Sequence, residues 1–81
     1  MQTIFVSPKD IGAALRDQRK RRGISQAELG RLVGLDQQKV SLIESGNPNT
    51  RLDSLFRLLS ALDLGLSLKG KKEPPAGGDS W

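Results

Sequence analysis

The chain contains no cysteine, no histidine and no tyrosine. The first absence rules out disulfides and thiolate metal sites. The second removes the commonest general base and the commonest metal ligand. No apolar run approaches the length that spans a bilayer. Met1–Val6 lacks the charged start and long apolar core of a signal peptide, so a cytoplasmic, nucleoid-associated location without membrane is expected. The nearest approach to a phosphate-cradling loop is Gly65-x-x-x-x-Gly70-Lys71, but a Pro/Gly segment follows where a Walker motif requires a helix. No enzymatic activity and no cofactor are expected. What is present is a basic surplus: thirteen Lys and Arg against nine Asp and Glu, a net charge of +4 in 81 residues. Such a balance suits a polyanionic partner, with a merely solvated basic surface as the plain alternative. A core of this size is marginal alone, so a staple or an oligomer is expected.

Helix punctuation divides the chain. Ser7-Pro8 reads as a helix start, the serine capping and the proline fitting the first turn, where its missing N–H is not needed. The helix runs to about Arg22 and stops at Gly23, with Ile11, Ala14 and Leu15 as its apolar side. Its last turns carry Arg16, Arg19, Lys20, Arg21 and Arg22, which the macrodipole alone would favour. Ser25-Gln26-Ala27-Glu28 is a capping box that opens a short helix ending near Gly34. Asp36 caps the next, which ends at Gly46. Asn47-Pro48-Asn49 is loop, and Thr50-Arg51-Leu52-Asp53 repeats the cap pattern before a fourth helix to about Leu62. Leu64, Leu66 and Leu68 alternate with Gly65, Ser67 and Lys69, the period of a strand. Residues 1–70 therefore form one domain, and the Lys, Pro, Gly and Ser of 71–81 read as a disordered tail.

The two short middle helices, 25–33 and 36–45, are joined by Gly34-Leu35, and Leu29, Leu32, Val33, Leu35, Val40 and Ile43 are their expected shared core. By spacing this is a helix-turn-helix, an outline that generic helical hairpins share. In such a unit the second helix can lie in the DNA major groove.

The string Ser25-Gln26-x-x-Leu29, Gly34-Leu35, Val40-Ser41-x-x-Glu44-x-Gly46 resembles the Cro/CI-type helix-turn-helix of phage repressors and antitoxins, over roughly residues 10–63. The resemblance implies an all-α, lambda-repressor-like bundle of four to five short helices, here with one short C-terminal β-strand. It places Gln37, Gln38, Lys39, Ser41 and Leu42 where family members read the groove. Their chemistry agrees: Gln pairs bidentately with adenine, Lys donates to guanine, and Leu meets a thymine methyl. Gln26 resembles the residue that holds a backbone phosphate. Arg19 and Glu44 resemble a structural ion pair, which takes Arg19 out of the DNA contacts. Arg22 remains a candidate phosphate contact, as do Asn49, Thr50 and Arg51 at the start of the fourth helix, where free N–H groups favour an anion. Gly30 departs from the family, which usually has alanine there, at about 1 kcal/mol of helix propensity.

The fourth helix carries more leucines than one core-facing stripe needs. A lone strand also leaves its hydrogen-bonding groups unpaired. Leu64–Lys69 can pair with Thr3–Val6 of its own chain or with the same strand of a second subunit. The second pairing joins strand and surplus leucines in one homodimer interface, for which Leu58, Leu62, Leu64, Leu66 and Leu68 are the expected residues. A two-fold dimer implies a palindromic double-stranded operator.

The domain, the "PKDIGAALRDQRKRRG" segment, the leucine-alternating strand and a Pro/Gly tail ending in Trp81 together resemble the HipB-type antitoxins. That resemblance implies autorepression of a toxin–antitoxin operon and restraint of a HipA-type toxin kinase, with Trp81 as a candidate anchor on the toxin. A stand-alone phage-type repressor is the alternative.

Overall fold

The computed structural model of the chain describes residues 7–67. It holds four helices: α1 Pro8–Arg21, α2 Gln26–Val33, α3 Gln37–Glu44 and α4 Leu52–Ala61. The first three begin on a side-chain cap. Ser7 Oγ accepts the Asp10 N–H at 3.2 Å, and Pro8 occupies the first turn. At α2 the box closes in both directions, Glu28 N–H to Ser25 Oγ at 3.0 Å and Ser25 N–H to Glu28 Oε1 at 2.9 Å. Asp36 Oδ1 accepts the Lys39 N–H at 2.8 Å. The fourth helix differs from its expected cap. Thr50 donates its hydroxyl to the Asn47 carbonyl at 2.8 Å, and the cap position falls to Arg51, which makes no side-chain cap bond. Asn47 organises this loop from both ends, because its Oδ1 also accepts the Asn49 N–H at 2.9 Å.

The core gathers Leu15 from α1, Leu29 from α2, Val40 and Ile43 from α3, and Leu55, Leu58, Leu59 and Leu62 from the α4 region. The α3 helix packs against both α1 and α2, and α2 against α4. The α1–α3 crossing is tight at Gly12, where an added Cβ would collide with the backbone carbonyls of Ile43 and Glu44. Helix α1 can therefore lie directly on the end of α3, a role that its apolar neighbours Ile11 and Leu15 did not reveal.

Two expectations about apolar residues are corrected. Leu32 is 69% exposed, not a member of the shared core. At about 100° per residue, Leu29, Val33, Gln26 and Gly30 define the inward side of α2, and Leu32 lies about 110° from its centre. Leu58 and Leu62, expected at a dimer interface, are fully buried in the chain's own core. With Leu55 and Leu59 they occupy a single arc of about 100° on α4, which is one ordinary core stripe. The apolar surplus of α4 is instead Leu52 and Phe56, exposed by 68% and 50%.

After α4 the chain turns through a Schellman motif. Leu64 N–H reaches the Leu59 carbonyl at 2.8 Å and Asp63 N–H reaches Ser60 at 3.0 Å. Asp63 takes the left-handed position at φ 55°, where glycine is usual. Leu64 is half-buried against the core, and Leu66 is exposed. Among the described residues, 64–67 form no strand. A strand paired across a two-fold axis has its hydrogen-bonding partner on the second subunit. Thr3–Val6, Leu68, Lys69 and the 71–81 tail with Trp81 lie outside the described residues.

Candidate nucleic-acid interface

The geometry of the α2–α3 unit starts at its turn. Gly34 ends α2 in the left-handed region at φ 75°, and Leu35 N–H returns to the Gly30 carbonyl at 2.9 Å. Gly30 is buried, and a Cβ there would collide with the Leu35 carbonyl oxygen. The glycine that weakens α2 by propensity is thus what admits the turn at this distance.

On the inner side of α3, Glu44 is 6% exposed and meets Arg19 of α1, itself 7% exposed. Arg19 Nε donates to Glu44 Oε2 at 2.7 Å and Nη2 to Oε1 at 3.0 Å, a bidentate pair. Arg19 Nη1 donates to the Ile24 carbonyl at 2.9 Å. Gln26, the first residue of α2, donates its side-chain amide to Glu44 Oε1 at 3.1 Å. One carboxylate therefore ties α1, α2 and α3 together. Among the described residues no buried side-chain polar atom is left without a hydrogen-bond partner, which is the condition under which a buried pair is tolerable. The hydrogen bond to Glu44 raises the Arg19 guanidinium above its already high range, against the opposing pull of desolvation.

With Val40, Ile43 and Glu44 locked inward, α3 turns its other side to solvent. Gln37, Gln38, Lys39, Ser41 and Leu42 are all exposed, so all five residues expected to read bases share an open helix. Asn49 and Arg51 are exposed in the loop before α4, while Thr50 is half-buried with its hydroxyl engaged. Arg22 is held elsewhere. Its Nη2 donates to the Leu62 carbonyl at 2.7 Å and its Nη1 lies 3.6 Å from Asp63, so it ties the end of α1 to the end of α4. Sequence reasoning missed that tie, and no local pattern signals a contact across 40 residues. Two other arginines form exposed pairs along their own helices, Arg21 with Asp17 and Arg57 with Asp53, of little energetic weight. Among the described residues no group of His, Cys, Asp or Glu is arranged to hold a metal, and no helix is long and apolar enough to cross a membrane.

A left-handed glycine turn between two short helices, the second anchored by its apolar side and presenting amides, an ammonium and a hydroxyl on the other, defines a helix-turn-helix unit. The family described as "Helix-turn-helix domain" matches residues 10–69. The chain is 32% identical over 62 residues to the antitoxin HipB of Escherichia coli, across 76% of this chain and 70% of that protein. It is 34% identical over 58 residues to the ImmF control region 10 kDa protein of Bacillus phage phi105, across 69% of this chain and 64% of that protein. Among solved structures it superposes on a chain of a HipA–HipB–O2–O3 complex with a TM-score of 0.78 and 34% identity, covering 89% of this chain and 100% of that one. The chain belongs to the Cro/CI-type helix-turn-helix family and, within it, to the HipB-type antitoxins.

Proposed function

We propose that this chain is a sequence-specific DNA-binding antitoxin. It acts as a two-fold dimer that reads a palindromic operator, represses its own operon, and binds and restrains a HipA-type Ser/Thr kinase in the cytoplasm. The observation that carries the DNA reading is the division of α3: its apolar and acidic side is fixed in the core while Gln37, Gln38, Lys39 and Ser41 stand open on one short helix. Helices of this kind place their first turn against base edges in the major groove. Asn49 and Arg51, exposed before α4, supply the phosphate contacts that set the register, and Gln26 can join them with the second hydrogen of the amide that it also donates to Glu44. Arg22 is engaged with Leu62 and Asp63, and Thr50 with the Asn47 carbonyl, so the phosphate role first expected of these two passes to the other three.

The kinase partner is supported by a different kind of observation, the likeness to a chain of a HipA–HipB–O2–O3 complex together with the 32% identity to the antitoxin HipB. On this reading Trp81 and the 71–81 tail meet the kinase. The likeness to the phage phi105 control-region protein favours a second reading, a repressor without a toxin.

A titration with random duplex at two salt concentrations tests the first part. A DNA binder loses affinity steeply as salt rises, because neutralised phosphates release counterions. A protein-only adaptor shows no such binding. Co-purification with the product of an adjacent kinase gene tests the second part. Deletion of residues 71–81 is expected to weaken that association and spare DNA binding. Unchanged capture of the kinase removes the tail from the mechanism.

A further inference from the structure

The exposed side of α3 carries one apolar group that no other described residue buries. Val40 and Ile43 are buried, but Leu42 is 50% exposed and stands outside the core cluster. Its neighbours on the helix surface are polar: Gln38 one turn earlier, Ser41 beside it and Ser45 one turn on. Its backbone is firmly held. The Leu42 carbonyl accepts the Ser45 hydroxyl at 2.9 Å and the Asn47 N–H at 3.0 Å, so the last turn of α3 is closed and the isobutyl group rises from a rigid stem.

If α3 enters the major groove, this group meets a surface that is polar almost throughout. The base edges there offer N7, O6 and O4 acceptors and amino donors, and a single apolar group, the 5-methyl of thymine. A leucine set among acceptors and donors strips their water without replacing it. Set against the methyl, it buries apolar area on both sides.

We infer that Leu42 is a specificity-determining residue that reads the 5-methyl group of one pyrimidine in each operator half-site. The inference rests on the DNA-binding reading above and adds the chemical group recognised. The pyrimidine is thymine in ordinary duplex. 5-Methylcytosine carries the same methyl at the same ring position, so methylation of a cytosine placed there restores the Leu42 contact. Base methylation thereby becomes an input to repression at this position.

The test uses the full chain and a palindromic duplex selected from a random pool. Each thymine is replaced singly by deoxyuridine, which removes only the methyl, and affinity is measured at fixed salt for the wild type and Leu42→Ala. The expected result is one position per half-site at which deoxyuridine weakens the wild type about three- to fivefold. Leu42→Ala should bind the thymine and deoxyuridine duplexes equally. With cytosine at that position, methylation should strengthen the wild type by a similar factor and leave Leu42→Ala unchanged. The inference is overturned if the wild type binds the selected duplex tightly yet ignores every deoxyuridine, or if Leu42→Ala keeps the wild-type sensitivity. Failure to bind any duplex is a different result, which removes the DNA-binding reading along with this one. Because Leu42 lies outside the core, its truncation should leave the thermal unfolding of the chain unchanged, and that measurement accompanies the series.

Discussion

Arg19 and Glu44, 25 residues apart, meet through two nearly parallel hydrogen bonds of 2.7 and 3.0 Å in a site that water barely reaches. The pair fixes the rotation of α3 about its own axis, because Glu44 can satisfy Arg19 and Gln26 only while Val40 and Ile43 point into the core. Truncating one partner strands a buried charge. Glu44→Met is expected to destabilise the fold by about 3–5 kcal/mol, and Arg19→Met by a similar amount. The double replacement Arg19→Met with Glu44→Met should recover much of that loss, since no uncompensated charge remains. Urea unfolding of the four proteins checks this. Additive losses in the double variant would show that the pair is not coupled.

Acid should act on the fold through Glu28. Its carboxylate is held below its ordinary range, first by the Ser25 backbone N–H and then by the Ser25 hydroxyl. A carboxylate whose folded pKa is depressed contributes stability that is present above its unfolded pKa and lost as pH falls through the folded value. The contribution is therefore complete at neutral pH and fades once pH drops below 4.5. In Glu28→Gln the amide oxygen can still accept the Ser25 N–H, but it does not titrate. The gap in Tm between wild type and Glu28→Gln should narrow as pH is lowered through that window. A constant gap would show that the Glu28 charge does not matter to the cap.

Gly12 tests the α1–α3 crossing. Alanine would gain helix propensity of about 1 kcal/mol in a free helix. Here its Cβ meets the carbonyls of Ile43 and Glu44, which belong to backbone and cannot swing aside. Gly12→Ala is expected to lower stability by about 1–3 kcal/mol through overpacking. The same substitution at Gly23 meets no neighbour within 4 Å, but at φ 69° it is strained by its backbone alone. A rise in the urea midpoint of Gly12→Ala would mean that α1 shifts freely over α3.

These residues show which parts of the fold a sequence displays. Caps are local, so Ser7, Ser25 and Asp36 marked the starts of three helices correctly. Leu32 was misassigned because an apolar residue three positions from Leu29 looks inward by spacing, and only the direction of the partner helices places it outside. Leu58 and Leu62 were misassigned for the converse reason. A leucine-rich helix shows a surplus, but which leucines are surplus depends on where α2 lies. The open side of α3 was legible because its alternation of buried and polar positions is confined to eight residues. The engagement of Arg22 with Leu62 was not, since a basic residue near a helix end reads alike whether it meets a phosphate or a carbonyl.

That last ambiguity separates by experiment. If Arg22 ties α1 to the end of α4, Arg22→Met lowers stability and leaves the salt dependence of DNA binding unchanged. If it neutralises a phosphate, the slope of log affinity against log salt falls by about one. The companion position is Asp63. Glycine should exceed alanine there by about 1 kcal/mol in stability, because only alanine must adopt φ 55° against its Cβ. Equal stability of Asp63→Gly and Asp63→Ala would remove the left-handed turn from the account.

The dimer is the remaining step, and burial decides which residues can build it. Leu58 and Leu62 cannot face a second subunit without leaving the core, so charged substitutions there should unfold the chain rather than dissociate it. Leu66 is 49% exposed and can be changed without opening the core. Leu66→Asp is expected to convert the dimer to a monomer of unchanged helix content, read by light scattering and circular dichroism. Phe56→Asp, on the exposed flank of α4, should weaken the dimer if that flank adjoins the strand, and leave it intact if the strands alone hold the subunits. A dimer that survives Leu66→Asp favours pairing of the 64–69 segment with Thr3–Val6 of its own chain. In that case the half-site spacing of the operator would be set by α4, through Leu52 and Phe56, since these are the large apolar side chains that α4 leaves open.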